Sequence, residues 1–363
     1  MLCVAGCAWA VASGTPRSTG IAWIDGSPGA ADRDCPAFDA VARGVGGWWL
    51  SGPSCLAFAA NGDGASRMRS FRESDWTLDR VDALFAASDG VVWAAGRQRR
   101  GEAVRAVLGS AADSGVAVGD PARWGLDGVL VNALAGTEAG PVWAAGRRLG
   151  SPPIPFLARH DGKGWTAIDA RGLGAGEIVD ADFAPDGCGW FVGRDPEGAA
   201  VLVRFDGSTL RREVLEPEDG APTEVAAVSC GDLWLGGRTA IRYAEGHREE
   251  ITFGGDAEVN GLAACPNGDL LLVGERIARE PEMGGRRVGF SFRVRDGEAS
   301  SLAVQLPFAV DDWRLADVGC DAGGAWAVGA AIAMPAAGAA PERRALALRL
   351  DADGWRFRGW EYR

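Results

Sequence analysis

Three features of the sequence predict an all-β fold of the β-propeller class, with eight four-stranded blades. A Trp-containing segment recurs along the whole chain, each recurrence holds four strand-like segments, and helical periodicity of useful length is absent. The recurrence is clearest where VVWAAGR at 91–97 returns as PVWAAGR at 141–147. A supersecondary unit that repeats at a fixed period is the sequence signature of a repeat architecture.

Each repeat unit is anchored by one large apolar residue. The eight anchors are Trp9, Trp49, Trp93, Trp143, Trp190, Trp234, Leu271 and Trp326. They are separated by 37 to 55 residues, which is the period of a propeller blade and much longer than a heptad. Eight anchors predict eight blades in a single domain, and seven blades is the alternative if a terminal copy is incomplete or displaced. The units then span roughly 1–37, 38–79, 80–128, 129–175, 176–221, 222–256, 257–312 and 313–363.

The strands inside a unit are clearest between residues 177 and 215. Four segments with alternating apolar residues are separated by short Gly-, Asp- and Pro-containing turns; they lie at 177–184, 188–194, 199–205 and 209–215. Short alternating segments with such turns are typical of successive antiparallel strands. Asp-Gly also follows the third segment in several units, and this dipeptide favours tight hairpins because it tolerates positive φ.

These motifs resemble the tryptophan-rich propeller repeats of bacterial secreted proteins, which are distantly similar to the BNR (Asp-box) and WD-repeat families. The segment 161–165 (DGKGW) is the best match to an Asp-box turn, although Arg159 stands where that motif has Ser or Thr. The resemblance covers nearly the whole chain. It implies a propeller fold and a bacterial, secreted protein, and it implies no particular activity.

The composition argues against several functional classes. The chain has 37 basic and 49 acidic residues and a net charge of −12, so it lacks the basic field that nucleic-acid backbones require. It has two His and two Tyr, and Lys163 is its single Lys, which leaves few groups for metal, Schiff-base or general-base chemistry. No apolar run is long enough for a membrane span.

Two recurrent polar positions predict a ligand-binding face. One follows the first apolar residue of the innermost strand and is occupied by Asp39, Asp82, Asn132, Asp180 and Asn260. The other follows the second-strand Gly and is occupied by Arg97, Arg147, Arg194 and Arg238. These groups either neutralise one another between blades or form a polar funnel. A funnel offers carboxylates to Ca²⁺ or guanidinium groups to an anion, and no other metal or cofactor is expected.

Three long connections between second and third strands predict recognition loops on the same rim. They span 146–156, 275–289 and 329–345. Loops on a rigid scaffold commonly carry binding residues.

Eight cysteines leave the redox compartment open at the level of sequence. Cys188, Cys230, Cys265 and Cys320 all lie in or beside the turn between the first two strands of a unit. They are either paired, as in a secreted protein, or buried free thiols. The segment before Cys7 lacks the charged and apolar regions of a complete signal peptide, so a secreted, periplasmic or surface-attached location rests on other features.

The function predicted from these features is a non-catalytic propeller that presents one loop-rich face to a protein, glycan or cell-surface partner. It is expected to act as a monomer and to bind no nucleic acid. The alternative is a carbohydrate-active hydrolase or lyase, in which Asp180 works with Asp182 or Asp82 at the channel mouth. Asp180 and Asp182 are two residues apart on one strand, so their side chains are about 7 Å apart on one face, which is compatible with paired carboxylate catalysis.

Overall fold

The computed structural model describes residues 37–358, apart from 45–46, 53–54, 61–66, 71, 74–75, 101, 113–114, 138–139, 217–220, 281–283 and 334–341. The described chain is all-β, as the sequence predicts. Its two helices are 3-10 turns of four and three residues, and neither is long enough to cross a bilayer. The predicted first unit and its anchor Trp9 lie outside the described residues, apart from Ala37.

The first three sheets follow one another along the chain. Sheet I contains β1 (Ala40–Gly44), β2 (Gly47–Gly52), β3 (Cys55–Ala60) and β4 (Arg67–Ser70). Sheet II contains β5 (Arg72–Glu73), β6 (Trp76–Ala86), β7 (Val92–Arg100), β8 (Ala103–Ala112) and β9 (Gly115–Gly119). The 3-10 turn η1 (Pro121–Trp124) leads to sheet III, with β10 (Val129–Gly136), β11 (Val142–Arg148), β12 (Ile154–His160) and β13 (Trp165–Ile168).

Four more sheets complete the described chain. After η2 (Arg171–Leu173), sheet IV contains β14 (Glu177–Phe183), β15 (Gly189–Arg194), β16 (Ala200–Phe205) and β17 (Leu210–Glu213). Sheet V contains β18 (Glu224–Ser229), β19 (Asp232–Gly236), β20 (Thr239–Ala244) and β21 (His247–Thr252). Sheet VI contains β22 (Ala257–Ala264), β23 (Leu270–Glu280), β24 (Gly284–Arg295) and β25 (Glu298–Ser301). Sheet VII contains β26 (Val304–Gln305), β27 (Val310–Asp321), β28 (Gly324–Ala333), β29 (Glu342–Asp351) and β30 (Gly354–Phe357).

Two sheets recruit an extra strand from the connection that precedes them. The short β5 pairs with the start of β6 in sheet II, and β26 pairs in parallel with β30 in sheet VII. The repeat pattern places the start of a unit at residue 80, whereas strand pairing in sheet II already begins at Arg72. The outermost strand of sheet VII is β26, which lies beside Trp355 of β30, and Trp355 is fully buried.

The inner strands of the seven described sheets form a closed circuit of contacts. Each inner strand contacts the next in chain order, and β27 of sheet VII contacts β1 of sheet I. Polar contacts also join these end sheets: for example, the Val41 N–H donates to Asp317 Oδ2 at 2.8 Å, and Arg43 pairs with Asp321 at 2.6 Å. The predicted count of eight blades is not confirmed, because the additional unit lies outside the described residues.

The anchor tryptophans fill the spaces between neighbouring sheets. Trp93, Trp143, Trp190 and Trp234 are each no more than 6% exposed. The Trp143 ring of sheet III packs against three rings of sheet IV, with the Phe205 centroid 4.8 Å away. Burial of these large aromatic rings contributes apolar area that joins otherwise separate sheets.

A glycine on the second strand allows a β-bulge in the inner strand. A Cβ at Gly193 would lie 2.1 Å from the carbonyl oxygen of Glu177, on the inner strand of the same sheet. The register of that strand shifts between Ile178 and Asp180. The same approach of about 2 Å occurs at Gly96, Gly146, Gly274 and Gly329. The repeated Gly therefore fixes where the inner strand bulges, and a bulge changes which side chains face the channel.

Two disulfides join consecutive sheets at the turns between first and second strands. Cys188 of sheet IV is bonded to Cys230 of sheet V, and Cys265 of sheet VI is bonded to Cys320 of sheet VII. Of the two alternatives for these four cysteines, the structure therefore shows pairing. Cys3, Cys7 and Cys35 lie outside the described residues.

We expect loss of the Cys188–Cys230 disulfide to lower the free energy of unfolding by about 2–4 kcal/mol, because it closes a loop of 42 residues. The double variant Cys188→Ala/Cys230→Ala and the wild type should be compared by urea denaturation with and without reductant. In the variant, Cys265–Cys320 is the disulfide of the described residues on which the reductant acts. Equal midpoints for the oxidised wild type and the variant would contradict a stabilising role.

Candidate functional site

The inner strands of the seven described sheets surround a cavity of about 1130 Å³. This volume is slightly above the range of about 300–1,000 Å³ for small-molecule sites. All five residues of the predicted polar ring line it: Asp39, Asp82, Asn132, Asp180 and Asn260. These five positions therefore lie on the channel, and their role as ligand-binding residues stays a prediction.

The predicted ring is wrong in one respect, because Asp180 occupies a different register from Asp82, Asn132 and Asn260. Those three residues are the bulged residues of their strands. In sheet IV the bulged residue is Val179, and Asp180 comes one position later. Asp180, Glu224 and Asp317 are the equivalent residues, since each pairs with the residue two positions after its anchor Trp.

The carboxylates on the inner strands hold the backbone of the next sheet. The Val225 N–H donates to Asp180 Oδ2, and the Ala227 N–H donates to Asp182 Oδ2, each at 2.8 Å. Asp317 accepts from the Val41 N–H in the same way across the junction of sheets VII and I. Each of these bonds joins the side chain of one sheet to the edge of its neighbour.

The two asparagines also bond to the backbone of the next sheet, but their side chains donate the hydrogen bond where the carboxylates accept it. Asn132 Nδ2 donates to the carbonyl oxygen of Ile178 at 2.8 Å, and Asn260 Nδ2 donates to that of Leu315 at 2.9 Å. Asn132 also donates to Glu177 at 3.0 Å. Asp180, Asn132 and Asn260 of the predicted ligand ring therefore bond to the backbone of the next sheet.

Burial shifts the ionisation of the channel carboxyls. It raises the pKa of Asp180 and of Asp317 to about 7, and that of Asp182 to about 6, while backbone N–H donors oppose the shift. Burial also raises the pKa of Glu224 well above its usual value, and the neighbouring carboxylates of Asp180, Asp317 and Glu258 raise it further. A carboxyl group whose pKa is raised toward neutrality has the property expected of a general acid.

A second region of the channel is rich in arginine. The side chain of Asp82 is 4% exposed and pairs with Arg80 at 2.5 Å and with Arg97 at 3.3 Å. Arg314 pairs with Asp39 at 3.3 Å across the junction of sheets VII and I. Burial raises the pKa of Asp39, although the guanidinium groups of Arg314, Arg80 and Arg343 act in the opposite direction. We call Arg80, Arg97, Arg314 and Arg343 the arginine mouth.

The predicted arc of four arginines is not one site. Arg97 lines the channel, whereas Arg147, Arg194 and Arg238 do not. Arg147 lies 3.6 Å from Glu177 of the next sheet, and Arg238 is exposed. The repeat pattern could not reveal Arg80 and Arg314, because they precede the inner-strand apolar residue in only two units.

Two of the three predicted recognition loops are in part strand extensions, whereas residues 149–153 remain a connection between β11 and β12. In sheet VI, β23 and β24 stay paired from Leu270↔Val294 to Glu280↔Gly284, so the stretch predicted as a loop at 275–289 is mostly hairpin. Sheet VII has a similar extension, in which β28 and β29 pair as far as Ala333↔Glu342. Sheet II extends β7 and β8 to Arg100↔Ala103. These ends of β7, β23 and β28 lie on the rim where the inner strands begin.

The predicted Ca²⁺ ligands do not converge into one set of ligands. Among the described residues, one group of three ligand atoms lies within 4.8 Å of one another, and it comprises Asp186, Cys188 and Cys230. Its two sulfurs form a disulfide, so they are not available as thiolate ligands. The oxygens of Asp180 and Asp182 already accept backbone N–H groups. A Ca²⁺ site therefore remains a prediction of the sequence.

Comparison with known proteins identifies the fold and no family. No protein-family model matches the chain, and no curated protein matches it. The solved structures that match include a GH74 xyloglucanase from Xanthomonas campestris, with 14% identity and a TM-score of 0.53 over 93% of this chain and 55% of that one. The resemblance to tryptophan-rich and Asp-box repeats therefore stays a prediction.

Two further solved structures have the same kind of similarity. The extracellular domain of a protein described as a one component system from B. thetaiotaomicron has 12% identity and a TM-score of 0.52, and the match covers 84% of this chain and 38% of that one. The WD40 β-propeller domain of Doa1 has 11% identity and a TM-score of 0.50, with 86% and 94% covered. Identities this low establish an all-β propeller fold and no activity.

We expect the channel carboxyls to make stability depend on pH. Their pKa values are raised in the folded state, so the stability they contribute is fully present below pH 4 and is lost as the pH rises to about 7. The variant Asp180→Asn removes one such group and keeps an acceptor for the Val225 N–H. Relative to the wild type, its free energy of unfolding should increase between pH 4 and 7 by at most about 1.4 kcal/mol per pH unit.

Denaturant titrations at several pH values measure this difference. The exposed Glu298 offers a matched control. The free energy of unfolding of Glu298→Gln, plotted against pH, should run parallel to that of the wild type, because this side chain contacts solvent in both states. Parallel curves for Asp180→Asn as well would show that the group ionises alike in the folded and unfolded chains.

Proposed function

We propose that this protein is a non-catalytic propeller that binds an anionic group of a partner at the arginine mouth. One observation carries the proposal: Arg80, Arg97, Arg314 and Arg343 line one cavity, where two sheet junctions bring them together. Their charge exceeds that of the two carboxylates they contact, Asp39 and Asp82. A local positive field on a chain of net charge −12 favours an anionic ligand at this one place.

The contacts of the arginine mouth suit anion recognition. A guanidinium group has five N–H donors in a fixed planar fork, so one ion pair leaves donors for a ligand. The pairs with nearly buried Asp82 hold Arg80 and Arg97 in defined orientations. Preorganised arginines bind carboxylate, sulfate or phosphate groups with little loss of side-chain entropy.

The hairpin ends of sheets II, VI and VII extend the same rim. They give a partner a larger surface than the channel alone, and we propose that a protein, glycan or cell-surface partner contacts them while its anionic group enters the mouth. The two disulfides support an oxidising location, so we propose a secreted, periplasmic or surface-attached monomer.

We further propose that the ring has seven blades and is formed by one domain. Support comes from the direct contact between β1 and β27 and from the backbone bond of Phe38 N–H to the Gly329 carbonyl at 3.0 Å. Inner strands in contact leave no space for an eighth blade between them. The seven-blade alternative of the sequence therefore fits the described residues better than the eight-blade prediction.

The second candidate function is a carbohydrate-active hydrolase or lyase that uses Asp180 and Asp182. The raised pKa values of both groups favour it. Against it, each carboxyl group accepts a backbone N–H of sheet V, and the third candidate, Asp82, is ion-paired with two arginines. Under our proposal the purified protein releases no reducing sugar from a panel of polysaccharides. Release that Asp180→Asn abolishes would establish the hydrolase instead.

We expect the double variant Arg97→Gln/Arg343→Gln to weaken anion binding about tenfold or more, since charge-assisted hydrogen bonds contribute about 1.5–3 kcal/mol each. Binding to immobilised polyglutamate and polygalacturonate at low salt measures the effect. The wild-type affinity should fall as salt is added, because the contact is electrostatic.

Arg238→Gln is the matched control, because Arg238 occupies the position of Arg97 in sheet V and lies outside the channel lining. It should bind as the wild type does. An equal loss in both variants would mean that net charge, and not the arginine mouth, determines binding. Failure of the wild type to bind either polymer would remove the proposal.

A further inference from the structure

Sheets III and IV place the same pair of residues in corresponding positions. In each sheet a Trp on the second strand lies directly opposite an Arg on the third strand. The pair is Trp143 and Arg159 in sheet III, and Trp190 and Arg204 in sheet IV. The strand pairing is the same in both sheets, so sheet IV shows one way in which the repeat satisfies these two polar side chains.

In sheet IV both members of the pair have partners. The indole N–H of Trp190 donates to the carbonyl oxygen of Ser229 at 3.0 Å. Arg204 lies 5.7 Å above the Trp190 ring and pairs with Glu213 at 3.1 Å. In sheet IV both side chains therefore contact protein groups.

In sheet III neither member of the pair has such a partner. Trp143 is 2% exposed, and its Nε1 is buried without a hydrogen-bond acceptor among the described residues. Arg159 is exposed and forms no ion pair within the described part of the chain. On the fourth strand, Ile168 occupies the position that Glu213 has in sheet IV, so the anion that pairs with Arg204 has no counterpart there.

A cavity of about 600 Å³ lies beside this unsatisfied pair. Trp143, Arg159 and Ile168 line it from sheet III, and Phe205 and Leu210 line it from sheet IV. The cavity thus combines the Arg159 cation and apolar walls, with the buried indole N–H of Trp143 behind its surface. Asp169 also lines the cavity, and its carboxylate is paired with Arg171 at 3.0 Å. None of these residues lines the central channel.

We propose that this cavity binds a small carboxylate that has an apolar face, such as a uronic acid or an aryl carboxylate. The Cβ atoms of directly opposite residues on neighbouring strands lie about 5 Å apart, so Arg159 and Trp143 are near enough for one carboxylate to contact both side chains. One oxygen pairs with the guanidinium group and the other accepts the indole N–H. The apolar face of the ligand packs on Ile168 and Phe205.

Entry of the ligand involves a small rearrangement of the cavity wall. The Trp143 nitrogen is shielded from solvent in the packing described. Phe205 and Leu210 are half-buried and are the apolar side chains on the opposite wall. Their displacement opens the path to the nitrogen, and the new hydrogen bond compensates for the lost contacts because an unpartnered buried donor is unfavourable.

Isothermal titration calorimetry with galacturonate, benzoate, glucose and acetate tests the proposal. Galacturonate or benzoate should bind, and whichever binds more tightly identifies the sugar or the aryl source. Glucose lacks the charge and acetate lacks the apolar face, so both should bind at least tenfold more weakly. Absence of binding by both ring carboxylates, or acetate binding as tightly as they do, overturns the proposal.

Two variants and a control locate the site. Arg159→Gln should weaken binding tenfold or more, and this exposed substitution should leave the fold intact. Ile168→Glu copies sheet IV into sheet III and should abolish binding by pairing Arg159 internally. Arg204→Gln, the matched control, should keep wild-type affinity. Binding that Arg159→Gln leaves unchanged places the ligand elsewhere and overturns the assignment, independently of what the arginine mouth binds.

Discussion

The structure depends on hydrogen bonds from inner-strand side chains to the backbone of the next sheet. An inner strand is the edge strand of its sheet, so one side of its backbone lacks a ladder partner. Buried N–H and carbonyl groups need partners, and Asp180, Asp317 and Asn132 supply them across three different junctions. Because no backbone ladder joins the inner strands of neighbouring sheets, these side chains and the anchor tryptophans together maintain the ring.

The same requirement divides the channel into two chemical regions. Where a carboxylate accepts backbone N–H groups without a nearby cation, burial dominates and its pKa rises, as at Asp180 and Asp317. Where arginines occupy the rim positions, as at Arg80 and Arg314, the carboxylates form ion pairs and leave guanidinium donors at the mouth. The structural role of the carboxylates therefore explains why the arginine mouth, and not the acidic region, is the better candidate for ligand binding.

Because the sheets are repeats of one unit, corresponding positions in different sheets of this protein can be compared directly. Sheets III and IV share a backbone, an anchor Trp and an opposing Arg, so a difference in how these groups are satisfied arises from the side chains around them. One exchange, Ile168 for Glu213, leaves Arg159 without an anion and makes one wall of a cavity apolar. Such departures from an internal repeat indicate sites that neither composition nor overall fold reveals.

The sequence by itself determined the all-β propeller class, the anchor tryptophans, the channel-lining positions and the turns that carry the paired cysteines. These depend on local periodicity and on turn chemistry, which neighbouring residues specify. Tertiary structure alone decided that Asp180 is equivalent to Glu224 and Asp317, because a one-residue bulge changes the register without changing the alternation around it. It also decided that Arg80 and Arg314 face the same cavity, that much of the predicted loop at 275–289 is a paired hairpin, and that the Trp143 indole N–H lacks an acceptor among the described residues. Those features depend on contacts between residues far apart in the chain, which a repeat pattern read along one strand does not contain.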